Sequence, residues 1–179
     1  MTSRPSPAEA VGYGFRVAEF AGDPYPFAVI LGCSDARLSI ETIFDQVPGN
    51  LFIVRVAGNF VNGDNLGSIE LAVDILKASL VLVLGHSRCG AILAALAYLR
   101  DGTTPRGHIS EVVEKLLPSV RAANGFAGDL VENAIAQNVA DNVKAVVEES
   151  EIIADAVGSG DVVVADAIYN VGTGRGTFA

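Results

Sequence analysis

The sequence predicts an α/β domain with a central, mostly parallel four-stranded sheet flanked by helices and room for a short extra C-terminal strand. Three observations predict it. Short aliphatic runs, such as those at 27–32 and 79–85, alternate with stretches of helical period, the pattern of parallel strands joined by crossover helices. Half of the residues are apolar, 18% are charged and mean hydropathy is +0.42, which excludes a disordered tail, a coiled coil and a collagen-like fibre. A length of 179 residues suits one domain, large enough to bury roughly two-thirds of the surface its unfolded chain exposes.

Taken in order, residues 1–26 are rich in Pro, Gly and Ala with a weak helical pattern over 7–20, and read as an N-terminal arm. Residues 27–179 read as a single domain, with no repeat and no linker that would divide it. Strands are expected at 27–32, 51–56, 80–85 and 161–167. A short helix at 39–44 follows the first strand. A longer one at 65–78 carries Leu66, Ile69, Leu71, Ala72, Val73, Ile75 and Leu76, which leaves little polar face, so it is expected to be buried, including in a subunit contact. Asp64, Asn65 and Ser68 read as its caps. Residues 88–101, 109–124 and 128–157 are helical by period, the last with a break near Ser150. A glycine turn at 172–174 precedes the short final strand.

Twelve Lys and Arg against 21 Asp and Glu give a net charge of −9, which argues against nucleic acid as a partner, because that affinity is built from clustered basic residues. The apolar runs are far shorter than the roughly 20 residues of a membrane helix, and the N-terminal ten residues have no apolar signal core. No membrane partner and a cytoplasmic location are expected. Nineteen glycines with few charges also point to surface hidden in an oligomer.

The chain has two cysteines and two histidines. Cys33 ends the first apolar run, and His86 and Cys89 follow the third. In open parallel sheets, ligands bind outside the carboxyl ends of the strands, where these three residues fall. Two thiolates and an imidazole are a catalytic zinc set that leaves one tetrahedral position open. His-x-x-Cys lets one turn deliver two ligands, and Cys33 can converge on them if its strand neighbours theirs, about 4.8 Å away. From spacing alone, two small buried hydrophobes and a core or capping histidine fit equally well. Asp35 and Arg37 can form a charge-assisted pair beside Cys33, or an N-cap with a solvated arginine. Arg55 reads as a field-setting cation or a strand-end arginine paired to a carboxylate; His108 reads as a solvated loop residue. The loop 58–63 lacks the glycine spacing of a pyrophosphate-binding turn.

Cys33-Ser-Asp-Ala-Arg37, Arg55-Val-Ala-Gly-Asn59 and Gly85-His-Ser-Arg-Cys-Gly90, in this order and spacing, resemble the three signature segments of the β-class carbonic anhydrases. The similarity runs from about Pro26 to Arg100 and resumes over 169–174. It implies one Zn2+ per subunit held by Cys33, His86 and Cys89. It further implies reversible hydration of carbon dioxide to bicarbonate and a proton, by hydroxide generated at zinc and oriented by the catalytic dyad Asp35 and Arg37. Phe52 is implied as part of the apolar substrate pocket, Gly90 as the residue that leaves room beside the metal, and a homodimer or homotetramer as the assembly. Three positions depart from common patterns of the family: Pro24 stands where a Gln is frequent, Leu71 where a Tyr is, and Ile30 where a Trp is. Pro24 and Leu71 make the pocket more apolar, which suits a sulfur analogue such as carbonyl sulfide or carbon disulfide, so hydrolysis of one is the alternative activity. A non-catalytic zinc or bicarbonate-sensing homologue is the other alternative.

Overall fold

In the computed structural model, which describes residues 25–178, the chain forms a five-stranded sheet in the order β2-β1-β3-β4-β5. The strands are β1 (Ala28–Cys33), β2 (Leu51–Val56), β3 (Leu80–His86), β4 (Val163–Asn170) and β5 (Arg175–Phe178). The first four are parallel, and β5 returns antiparallel along β4, so the extra C-terminal strand forms. β1 is buried at all six positions and β3 at six of its seven, because a parallel sheet is covered on both faces. On one face, Val29, Leu31, Val81 and Val83 pack into a core with Ile69, Val139, Val146 and Ile153; on the other, Ile30, Leu82 and Leu84 pack with Leu38 and Ile40.

The helices are α1 (Ile40–Ile43), α2 (Gly63–Glu70) continuing as a π-helical turn (Leu71–Ile75), α3 (Gly90–Asp101), α4 (Ile109–Ala123), α5 (Leu130–Glu148) and α6 (Glu151–Ser159). The break expected near Ser150 separates α5 from α6. Ser150 is extended, its hydroxyl accepts from the Ile153 amide at 3.2 Å, and it donates to Glu70 at 2.6 Å. β4 starts two residues later than the apolar pattern suggests, because the Asp161 and Val162 amides close α6 onto the Ala156 carbonyl.

One expectation needs correcting. The N-cap of α2 is Asn62, whose side chain accepts from the Asn65 amide at 2.9 Å; Asn65 and Ser68 instead donate to the backbone carbonyls of Phe60 and Asp64. Within this chain the segment after Asn62 is covered at Leu66, Ile69, Ala72 and Val73, whereas Leu71 and Ile75 are 48% and 67% exposed, on the face that the expected subunit contact would cover. The arm, including Pro24, lies outside the described residues apart from Tyr25 and Pro26. Among the described residues no helix is long and apolar enough to cross a membrane.

Candidate metal centre

The strand order places a topological switch between β1 and β3, since the chain leaves β1 toward β2 on one side and later returns to β3 on the other. That is where an open parallel sheet forms its binding crevice. Cys33 is the last residue of β1 and His86 the last of β3, so adjacent strands deliver both side chains to one end of the sheet.

The link from His86 to Cys89 reverses within one turn. Arg88 takes a left-handed conformation (φ 56°), which costs about 1–2 kcal/mol for a residue with a Cβ. The turn is tied down on both sides: the Ser87 amide donates to the Tyr169 carbonyl at 2.9 Å, and the Ser87 hydroxyl accepts from the Val171 amide at 3.0 Å. Cys89 then stands as the extended N-cap of α3. The helix starts at Gly90 rather than at 88 because these two residues make the reversal.

The ligand atoms of Cys33, His86 and Cys89 all lie within 4.8 Å of one another, and all three residues are buried. Both cysteines are free thiols, with sulfurs 4.0 Å apart. A tetrahedral zinc with sulfur ligands at about 2.3 Å holds them about 3.8 Å apart, so the spacing suits that ion. His86 Nδ1 is 3.0 Å from the Ser87 carbonyl, to which it can only donate; this leaves the lone pair on Nε2, which is buried and has no hydrogen-bond partner. The sulfurs also present an electrostatic demand. Cys33 is drawn below the ordinary thiol range, first by the hydrogen bond from Cys89, while the Cys89 thiol is pushed up by that same bond, by burial and by charge on Cys33. Both sulfurs can be thiolates together only with a cation between them, and an orphaned imidazole nitrogen completes a donor set that fits zinc.

Beside this cluster, Arg37 grips Asp35 as a fork. Its Nε donates to Oδ1 at 2.8 Å, a terminal nitrogen donates to Oδ2 at 2.7 Å, and its own amide donates to Oδ1 at 3.0 Å. The same terminal nitrogen reaches the carbonyl of Arg88 at 3.0 Å, tying the Cys33 segment to the His86–Cys89 turn. The guanidinium holds the Asp35 carboxyl well below the usual carboxylate range. Arg55 matches neither expectation for it: it donates to the backbone carbonyls of Cys33 at 2.9 Å and Asp35 at 2.7 Å, and so clamps the strand end. Gly58, also absent from the expected site, donates its amide to the Cys33 sulfur at 3.2 Å. No side-chain signal in the sequence marks a backbone donor.

Gly90 is exposed at the head of α3, and a Cβ there would meet nothing within 4 Å. Phe52 is not brought to the cluster within this chain. It pairs with Val29, four positions before Cys33, which is about 13 Å along the strand at about 3.3 Å per residue. Two large cavities, of about 760 and 640 Å³, lie elsewhere, between the π-helical turn and α6 and between α3 and α4. His108 precedes α4 on the surface, 2.6 Å from Glu111.

A buried Cys–His–Cys set at the switch point of a parallel sheet defines a mononuclear metal centre of the zinc type. The family model described as carbonic anhydrase matches residues 28–176. Carbonic anhydrase 2 of Mycobacterium tuberculosis is 39% identical over 158 residues, 88% of this chain and 76% of that protein. The carbonic anhydrase of Mycolicibacterium smegmatis is 37% identical over 150 residues, 84% and 73% of the two chains. Among solved structures, Coccomyxa β-carbonic anhydrase in complex with acetazolamide matches with a TM-score of 0.81 at 27% identity, over 99% of this chain and 86% of that one. A tetrameric β-carbonic anhydrase of Sordaria macrospora matches at 0.79 and 26%, over 96% and 88%. The chain belongs to the carbonic anhydrase family, in its β class, and is an enzyme of that family.

Proposed function

We propose that this chain catalyses the zinc-dependent reversible hydration of carbon dioxide to bicarbonate and a proton. The observation that carries the reading is the convergence of Cys33, His86 and Cys89 with the forked Asp35–Arg37 pair beside them. Zinc held by the three residues supplies the Lewis acidity that lets water ionise near neutral pH. Two thiolates offset the charge of the ion, so the protein has to position the nucleophile well. Asp35 does this: Oδ1 already accepts two bonds from Arg37, while Oδ2 accepts one and keeps a lone pair for the nucleophile's hydrogen. Because Arg37 holds the carboxylate ionised, Asp35 acts only as an acceptor, which turns the nucleophilic oxygen toward carbon dioxide. Gly90 leaves the space beside the metal.

The working unit in this reading is a homodimer or a multiple of it. The exposed Leu71 and Ile75 form the apolar face that a second copy covers, and that copy brings its own Phe52 to the pocket. Free thiols suit the reducing cytoplasm.

The test is stopped-flow carbon dioxide hydration at pH 7 and pH 9 on protein of verified zinc content, with carbonyl sulfide run alongside and the mass measured by sedimentation. Fast hydration that rises with pH, on a dimer or larger species, is the expected result. Zinc-loaded protein inert to carbon dioxide but active on carbonyl sulfide would overturn it.

A further inference from the structure

The loop that presents the Gly58 amide to the Cys33 sulfur turns through two consecutive left-handed residues, Gly58 (φ 88°) and Asn59 (φ 42°). Glycine adopts that conformation freely and asparagine tolerates it, so the loop keeps this path only where other groups hold it. Besides the local bonds from the Asn59 amide to Val56 and from Asn65 to Phe60, the loop is held by α5, 80 residues further along the chain. Asn138 donates its side-chain amide to the Gly58 carbonyl at 2.9 Å, and Asn142 accepts from the Val61 amide at 2.6 Å. Asn142 also donates to the Asn138 carbonyl at 2.7 Å and its side-chain oxygen at 3.1 Å, so the two amides are ordered by each other one helical turn apart. Both residues are buried, at 1% and 7% exposure.

We infer that Asn138 and Asn142 are positioning residues for the metal centre: they hold the 58–61 loop so that the Gly58 N–H stays on the Cys33 sulfur. This rests on the reading of Cys33 as a zinc ligand. The peptide groups on either side of Gly58 are both held, its N–H by the Cys33 sulfur and its carbonyl by Asn138, so a lost amide at 138 frees the second of them to rotate and carry the first off the sulfur. An N–H on a thiolate withdraws electron density that the sulfur would otherwise give to the metal, and so preserves Lewis acidity that two thiolates diminish. Cys89 stands instead as the N-cap of its own helix.

Asn138→Ala and Asn138→Ser are compared with wild type and with Val146→Ala, which loosens the same helix where it packs on the core and removes no hydrogen bond to the loop or the site. The readouts are zinc affinity by chelator competition and the thiolate-to-metal charge-transfer band of the Co(II)-substituted protein. Asn138→Ala is expected to weaken zinc binding about 10-fold or more and to move the band to lower energy. Asn138→Ser, which retains a donor, is expected to fall between, and Val146→Ala to move neither. Folded Asn138 variants with wild-type affinity and band, or equal changes in Val146→Ala, overturn the inference. Should neither Asn138 variant fold, wild-type protein loaded with 113Cd decides: scalar coupling between the Gly58 amide proton and cadmium through the Cys33 sulfur supports the inference, and its absence overturns it. Wild type that takes up neither zinc nor cobalt would instead sink the metal reading itself.

Discussion

The two sulfurs of the metal centre are held in different ways. Cys89 and its neighbour ligand His86 sit on one four-residue turn whose geometry comes from a left-handed Arg88, the end of β3 and the head of α3. Cys33 depends on pieces scattered through the chain: Arg55 on its carbonyl, Gly58 on its sulfur, Arg37 linking its segment to Arg88, and Asn138 and Asn142 behind the loop. The local half is encoded by a short string, pinned at Ser87 by the end of β4. The non-local half exists only once the sheet and α5 are assembled, so it is where mutations distant in sequence reach the metal.

Breaking either half at a ligand should have the largest effect. Cys89→Ser removes a thiolate that nothing nearby replaces, and both zinc and hydration activity should be lost; metal analysis of the purified variant checks this, and stoichiometric zinc would show the ligand set to be wrong. Asp35→Asn separates chemistry from binding. It keeps all three ligands but presents an amide N–H₂ where Arg37 requires an acceptor, so zinc should remain while turnover falls about 10- to 100-fold. Unchanged stopped-flow rates would make the Asp35–Arg37 fork a structural clasp alone.

The same contrast governs what could be read from the chain. The four parallel strands, the break at Ser150 and the His86–Cys89 turn are legible because each is a local pattern of apolar runs, a capping serine or a ligand pair one turn apart. The resemblance of three segments then tied Cys33 to the other two ligands. Arg55 was misassigned because its partners are backbone carbonyls, which carry no residue identity, and Gly58 was missed because a glycine's N–H leaves no mark at all. Nothing in the pattern of a long helix singles out Asn138 and Asn142; only the fold shows that they hold the 58–61 loop. Leu71 and Ile75 show that periodicity reports how apolar a face is, and not whether this chain or another covers it.

Smaller substitutions in the two turns sharpen the comparison. At Gly58 an added Cβ would stand 2.9 Å from a Leu116 methyl in a left-handed backbone, so Gly58→Ala should cost about 1–3 kcal/mol of stability and weaken zinc binding as the amide shifts off the Cys33 sulfur. Arg88→Gly makes the opposite change in the other turn, giving the left-handed position the residue that adopts it freely, while the carbonyl that Arg37 uses is kept. Its stability should stay within about 1 kcal/mol of wild type with zinc retained. Denaturant unfolding with parallel chelator titration tests the pair. Equal losses in both would mean that the two halves are equally delicate.

The smallest effect is expected outside both halves, at His108. Its 2.6 Å contact with Glu111 is as short as any in the site, yet the two side chains are 94% and 71% exposed. Glu111 raises the His108 pKa, so any stabilisation is fully present below the unfolded value of about 6.5 and is lost as pH rises through the higher folded value. His108→Ala should therefore lower the melting temperature slightly at pH 6 and not at pH 9, and leave hydration within about twofold, because an exposed pair contributes little. A larger fall in hydration that added imidazole buffer restores would instead make His108 a proton carrier, and would extend the catalytic machinery beyond the two turns to the loop before α4.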